Sequence, residues 1–333
     1  MRRLVVPVFT VLLVITALQV QAQNSSFIGG AFEDDGISAR PIGLGGAYTA
    51  IADDANASWW NPAGMAFLNK KKSATFTYVP SLFNLTVGGA STWLVSYAQG
   101  DTSGYGALGA SISDMSVKIG ADYPGDSAYS WDEYTLIGSW AMQIDNAFGL
   151  VKYLYPKVAI GVNIKYLIEN SDLNTLLGSS TGASGPSADI GLMIALKDNL
   201  RIGIMGKDIF SDITWGSGTV ETIPYEINAG IYYGITDSFL ISGEVKSLED
   251  DKGAPEVETY CGGTEYTFNF GKNSTIEKAS IRAGMSIDSI ENTYSLAGGA
   301  SITMQGFSID YTYQYFMRSV LDNTQRFGVT MSF

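Results

Sequence analysis

Side chains that could do chemistry are scarce in this sequence. It has no histidine and one cysteine, Cys261. That excludes His-dependent nucleophilic triads, histidine metal cages, Cys-rich zinc sites and disulfides. A paired-carboxylate hydrolase stays formally open, since it needs only two acids facing across a cleft. The spacing Gly104, Gly106, Gly109 fits a dinucleotide fingerprint. It leads into the alternating run Ala110-Ser111-Ile112-Ser113-Asp114, not into a helix N-terminus that could hold a pyrophosphate. The acidic runs Glu33-Asp34-Asp35 and Glu249-Asp250-Asp251 lack the alternating ligand spacing of a calcium loop and read as solvated clusters. The expectation is a protein that is not an enzyme and carries no cofactor and no metal.

Some charges have a definite place, and alternation along the chain supplies it. Val158, Ile160, Val162, Ile164 and Tyr166 share one face of a period-two run, opposite Lys157, Ala159, Gly161, Asn163 and Lys165. Ile190, Leu192 and Ile194 oppose Asp189 and Gly191, and Ile227 and Ile231 oppose Asn228 and Gly230. On these faces Asp189 lies on the strand beside Arg201 and Lys207, and Glu265 on the strand beside Arg282, all pointing to a shared interior. They read as structural ion pairs or as a path for a polar headgroup. The apolar faces should meet lipid. An Arg placed there should cost roughly 2–4 kcal/mol, and an Arg at Asn163 or Gly191 on the other face much less.

The runs are long enough to cross a bilayer when tilted. They fall near 73–79, 91–98, 105–113, 132–144, 157–168, 186–196, 199–208, 223–235, 238–247, 257–270, 278–288, 293–304, 306–317 and 324–333, an even number. Tight turns at 197–199, 236–237 and 305–306 alternate with long polar connections at 169–185, 209–222 and 248–256. Residues 145–156 depart from this asymmetry, being long and apolar on the short-turn side. Phe307, Ile309, Tyr311, Tyr313 and Tyr315 share a face suited to an aromatic girdle, and Phe327, Val329, Met331 and Phe333 form a closing stripe.

Composition agrees. Charged residues make up 16%, against roughly 25% in soluble domains, while the chain holds 38 Gly and 19 Tyr. No later segment is apolar enough to span as a helix. The net charge of −13 disfavours nucleic acid. Residues 1–22 read as an export signal: Arg2 and Arg3, an apolar run from Leu4 to Leu18, then Val20-Gln21-Ala22 before the cut. The fold class expected is all-β, a fourteen-stranded antiparallel transmembrane β-barrel over residues 73–333.

Residues 23–72 break the alternation. An alanine-rich stretch, Ala47 to Ala55, reads as helix, and Asn61 followed by Pro62 reads as the cap and first turn of a short helix running through Leu68. Small residues from Gly43 to Ala50 would let the segment lie close against a wall, so it is expected to plug the lumen. The loop from Pro80 to Leu85 is apolar, and Leu82, Phe83 and Leu85 could collect a hydrophobic solute or a partner.

Residues 39–66, ARPIGLGGAYTAIADDANASWWNPAGMA, resemble the N-terminal hatch signature of the FadL-like outer-membrane family, with the motif Trp59-Trp60-Asn61-Pro62-Ala63-Gly64 at its core. The ARPxGLGGA opening and the Trp-Asn-Pro-Ala-Gly core are more similar to the PorV/PorQ-like branch. The resemblance implies an outer-membrane barrel with a helical hatch in its lumen, and assembly through a machinery that reads the terminal Phe333. It implies two alternative functions: a passive channel for hydrophobic small molecules, fatty-acid-like or aromatic, or a PorV-like interaction barrel whose partners are proteins of secretion or surface attachment.

Overall fold

The structure, a computed structural model, describes residues 36–69, 71–81, 89–102, 104–119, 129–144, 157–172, 182–248, 257–271, 274–289, 292–317 and 323–333. The signal segment, both acidic runs, Leu82, Phe83, Leu85 and the 145–156 connection lie outside the described residues.

The alternating runs form strands β1 (Lys72–Val79), β2 (Ala90–Gln99), β3 (Ala107–Ile119), β4 (Tyr129–Gln143), β5 (Lys157–Ser171), β6 (Ala183–Lys197) and β7 (Leu200–Lys207). A short pair comes next, β8 (Asp212–Trp215) and β9 (Val220–Thr222). Then come β10 (Glu226–Thr236), β11 (Phe239–Leu248), β12 (Val257–Asn269), β13 (Lys278–Asp288), β14 (Thr293–Met304), β15 (Phe307–Met317) and β16 (Thr324–Ser332). Neighbours in sequence pair antiparallel, β7 pairs with β10, and β16 returns to β1, so fourteen strands close a transmembrane β-barrel. At the seam the Lys72 and Phe333 backbones exchange hydrogen bonds of 2.9 and 3.0 Å.

The first strand begins, and the last residue sits, at the end that carries the tight turns, here the near end. Gln305 and Gly306 there both have positive φ, +51° and +82°, the geometry that a two-residue hairpin needs to match strand twist. The connections between β5 and β6, β7 and β10, and β11 and β12 fall at the far end, and the long one between β4 and β5 falls at the near end.

Alternation sorts the side chains as expected. Val162, Ile190, Ile231, Tyr311, Tyr313, Tyr315, Phe327 and Val329 are exposed on the outer surface, and Asn163, Asp189, Asn228, Thr312 and Arg326 are buried inside. An apolar exterior around a polar interior inverts a soluble protein and suits lipid outside.

One connection differs from the sequence reading. Residues 209–222 were expected as a polar loop, but β8 and β9 prolong the wall beyond a kink. Between the pairs Ile190↔Gly206 and Ala183↔Trp215, β6 advances seven residues while its partner advances nine. The surplus forms a bulge at 208–211, where Asp208 takes φ +55° and its side chain is buried. A Cβ on Gly185 would lie 1.9 Å from the Asp212 carbonyl oxygen, so β8 leans inward over a position that only glycine leaves open.

Candidate functional site

Residues 36–69 lie within the barrel. They form two short helices, α1 (Ala39–Gly43) and α2 (Ala57–Trp60), and a 3-10 helix, Pro62–Phe67. Asn61 caps the last of these: its Oδ1 accepts from the Ala63 N–H at 3.1 Å, and Pro62 takes the first position. The helix ends at Phe67, with Leu68 as its cap.

The Ala47–Ala55 stretch does not form the helix that its alanines suggest. It makes turns, because the wall competes for its backbone. The Thr49 N–H and hydroxyl both donate to the Glu244 carboxylate at 2.8 Å, and the Thr49 carbonyl accepts from Asn61 Nδ2 at 2.9 Å. Asn61 Nδ2 also reaches the Leu192 carbonyl on β6 at 3.3 Å, and Asn163 Nδ2 donates to the Ser58 carbonyl at 2.9 Å. Ser58 and Ser111 join hydroxyl to hydroxyl.

Backbone approaches the wall closely where the wall has no side chain. A Cβ on Gly191 would lie 2.2 Å from Asn61 Oδ1, and one on Gly161 would lie 2.4 Å from the Ala63 nitrogen. The expectation that an Arg at Asn163 or Gly191 would be well tolerated therefore fails: the interior at this height is filled, not open. Around these contacts Leu44, Tyr48, Ile51, Trp59, Trp60 and Met65 form an apolar core with Val79, Leu94, Met115 and Ile137 of the wall. Each such large side chain contributes roughly 1.5–3 kcal/mol when fully buried.

Two charged networks flank that core. Toward the near end, Arg282 bonds Glu265 at 2.5 Å, Asp310 at 2.8 Å and the Ser301 hydroxyl at 2.8 Å. Arg40 grips the same Glu265 with two nitrogens at 3.1 Å and turns its third to Asp53 at 2.6 Å, Asp54 at 3.1 Å and the Tyr48 hydroxyl at 2.9 Å. Burial opposes charge on Arg40, yet Asp53, Glu265 and Asp54 outweigh it and hold the guanidinium well above its ordinary pKa. Burial pushes the Tyr48 hydroxyl up, against the pull of Arg40.

The second network sits on β5 to β10, on the far side of α2. Lys165 pairs with Asp189 at 3.2 Å and with Asp208 at 2.6 Å, and Lys207 pairs with Glu226 at 3.1 Å. Asp189 Oδ1 accepts the Asp208 N–H at 2.9 Å, which ties the bulge to the wall. Trp59, Ile137, Lys165, Asp189 and Lys207 line a small cleft of about 10 Å³, room for a single water. Beyond it toward the far end Leu167, Ala183, Ile213 and Ile223 form a small apolar cluster against Trp215. Trp215 in turn meets Trp131, ring centroids 6.0 Å apart.

The sequence reading placed Glu265 and Arg282 together and facing inward, and the structure joins them. It also placed Arg201 beside Asp189, but the cation on Asp189 is Lys165. Arg201 instead lies between the rings of Phe67 and Tyr232, 5.6 and 5.3 Å from their centroids, where rings and cation attract. Lys207 turns to Glu226. Lys165 was legible as a member of the face that holds Asn163, and Asp208 was not, because only a bulge brings it inside. Arg40 stood within the quoted motif without a role.

No family model matches the chain. A curated relative, a UPF0164 protein of Treponema pallidum (strain Nichols), is 24% identical over 287 residues, 82% of this chain. The chain spans 61% of the length of that relative. Among solved structures it is similar to the toluene transporter TodX of P. putida, at a TM-score of 0.61 and 12% identity, over 89% of this chain and 97% of that one. It is similar to the CymD monoaromatic hydrocarbon channel at 0.59 and 14% identity, covering 89% and 96%. A FadL homologue of Pseudomonas aeruginosa gives 0.58 and 12%, covering 89% and 98%. At these identities the likeness is one of fold, and the fold is a FadL-like fourteen-stranded barrel.

Proposed function

We propose that the protein is an outer-membrane channel for passive passage of hydrophobic small molecules, with the far end facing outward and the near end toward the periplasm. The observation that carries this reading is the barrel itself, closed strand to strand, with an apolar outer face and an internal segment, 36–69, packed on its wall. The likeness to the barrels of a toluene transporter and a monoaromatic hydrocarbon channel supports it. On this reading residues 1–22 are the export signal, 23–72 the hatch with Trp59 to Gly64 at its centre, and 73–333 the barrel. Lipid surrounds the outer face, Phe333 is the handle for barrel assembly, and Leu82, Phe83 and Leu85 gather solute at the mouth. The protein carries no catalytic role.

The test is uptake of toluene into vesicles holding the purified full chain, compared with protein-free vesicles. Faster uptake supports the channel. No difference, together with proteins recovered on the barrel after mild detergent extraction, would favour the PorV-like interaction barrel instead.

A further inference from the structure

The hatch meets the near-end wall with fewer cations than acids. Two guanidinium groups, Arg40 and Arg282, serve four carboxylates there: Asp53 and Asp54 of the hatch, Glu265 of β12 and Asp310 of β15. Arg282 is taken up by the wall, by Glu265, Asp310 and the Ser301 hydroxyl. Arg40 alone reaches both the wall and the two acids of the hatch. Its Nε and Nη2 hold Glu265, each at 3.1 Å, which leaves Nη1 for the rest.

That nitrogen has more acceptors than hydrogens. It carries two N–H bonds and faces three oxygens, those of Asp53, Tyr48 and Asp54, at 2.6, 2.9 and 3.1 Å. Two carboxylates gathered on one nitrogen repel each other, and one of such a pair takes a proton more readily than an isolated acid. Exposure decides which one. The side chain of Asp53 is 42% exposed and screened by solvent, whereas that of Asp54 is 14% exposed. Asp54 Oδ1 already accepts the backbone N–H and Nδ2 of Asn56, both at 2.9 Å. A proton taken from solvent onto Oδ2 turns the repulsion from Asp53 into a hydrogen bond toward it, and leaves the two hydrogens of Nη1 for Asp53 and Tyr48.

The other charged and titratable groups facing this pair are Arg201 of β7 and Tyr232 of β10, with Arg201 held between the Phe67 and Tyr232 rings. Arginine and tyrosine at their ordinary pKa values do not change charge between about pH 5 and 8. Burial raises the Asp54 carboxyl above its ordinary pKa, and Asp53 adds to the rise, against the pull of Arg40.

We propose that the near end of the hatch carries a proton-operated catch, in which one proton shared by Asp53 and Asp54 seats the segment more firmly on the wall and holds the plug tighter in mild acid than at neutral pH. A carboxyl that binds its proton more tightly in the docked hatch than in the undocked one favours docking below its docked pKa, and the gain is lost as the pH rises through that value. The catch is a property of the plug and holds whatever the barrel carries.

Hydrogen exchange of the detergent-purified full chain between about pH 5 and 8 tests it, each rate being divided by that of the urea-unfolded chain at the same pH. Protection of residues 36–69 should rise as the pH falls, by at most about tenfold per pH unit, the limit for one proton, while β14 stays level. Asp54→Asn, neutral at every pH, should give a flat profile. Asp53→Asn removes the like charge and should flatten it in part, and Asp198→Asn, at an exposed turn of the same end, should leave it whole. Protection that is level or falls in acid overturns the proposal, as does a rise shared equally by β14. A profile unchanged in Asp54→Asn overturns it too, and if that variant does not fold, an unchanged profile in Asp53→Asn does the same.

Discussion

Asn61 rests on the bare backbone of Gly191: its Oδ1 lies 2.2 Å from where a Gly191 Cβ would stand, while its Nδ2 donates to the carbonyl of the next residue, Leu192, at 3.3 Å. One side chain thereby caps a helix, ties two turns together and docks the hatch on the wall.

Gly191→Ala should therefore dislodge the segment around Asn61. Overpacking of this kind costs about 1–3 kcal/mol. Gly138, on the outer face, has nothing within 4 Å of its absent Cβ, so Gly138→Ala should change stability by less than about 0.5 kcal/mol. Urea unfolding of the full chain in lipid bilayers, with both variants side by side, measures the contrast. Equal stabilities would show that the hatch yields freely.

The two faces of β5 should reject substitution for different reasons. Val162→Arg puts a charge toward lipid and should cost roughly 2–4 kcal/mol. Asn163→Leu is of similar size, but strips donors from Ser58 and Asp189, at about 1–3 kcal/mol. Val162→Phe should be nearly neutral. Folding yields in bilayers of this set read the register, and a tolerated Val162→Arg would reverse it.

Arg40→Met should loosen the near end. Arg282 still holds Glu265, and Asp53, 42% exposed, is partly screened by solvent. The loss is therefore expected below that of a fully buried pair, at about 1–3 kcal/mol. Limited proteolysis should cut within residues 36–69 sooner than in the unaltered protein. Arg40→Lys should recover only part of the protection, because an ammonium cannot bond Glu265 with two nitrogens while reaching Asp53. Unchanged cleavage would make this network incidental to docking.

Deleting Phe333 removes the backbone partner of Lys72 at the seam. The yield of heat-modifiable barrel in the outer membrane should fall while the polypeptide is still made. A normal yield would show that closure and delivery rest on the remaining stripe of Phe327, Val329 and Met331.

The wall was legible in the sequence because its physics is one-dimensional. A strand between lipid and a filled lumen must alternate, and Ile160, Val162 and Ile164 against Gly161, Asn163 and Lys165 do so without help from anything distant. The hatch was legible as a non-barrel segment but not in its conformation. Helix propensity at Ala47–Ala55 lost to a carboxylate 195 residues away, Glu244, that captures the Thr49 backbone. The bulge at Asp208 was invisible because two surplus residues leave no periodic trace. Lys165, on the same face of β5 as the register partner of Asp189, took the role that adjacency had assigned to Arg201, and the bulge adds Asp208 to the pair.

Arg326 of the last strand donates to the carbonyl of Gly36, 290 residues earlier, and Thr312 to that of Ala39. α1 touches β13 to β16, whereas α2 and the 3-10 helix touch strands from β2 to β6. The hatch is thus shared between the first and the last strands of the chain. Its contacts are of such long range that local folding cannot make them early. Seating of the hatch and closure of the ring are therefore coupled, since the segment is held in part by the strands on each side of the β1–β16 seam and by neither set alone.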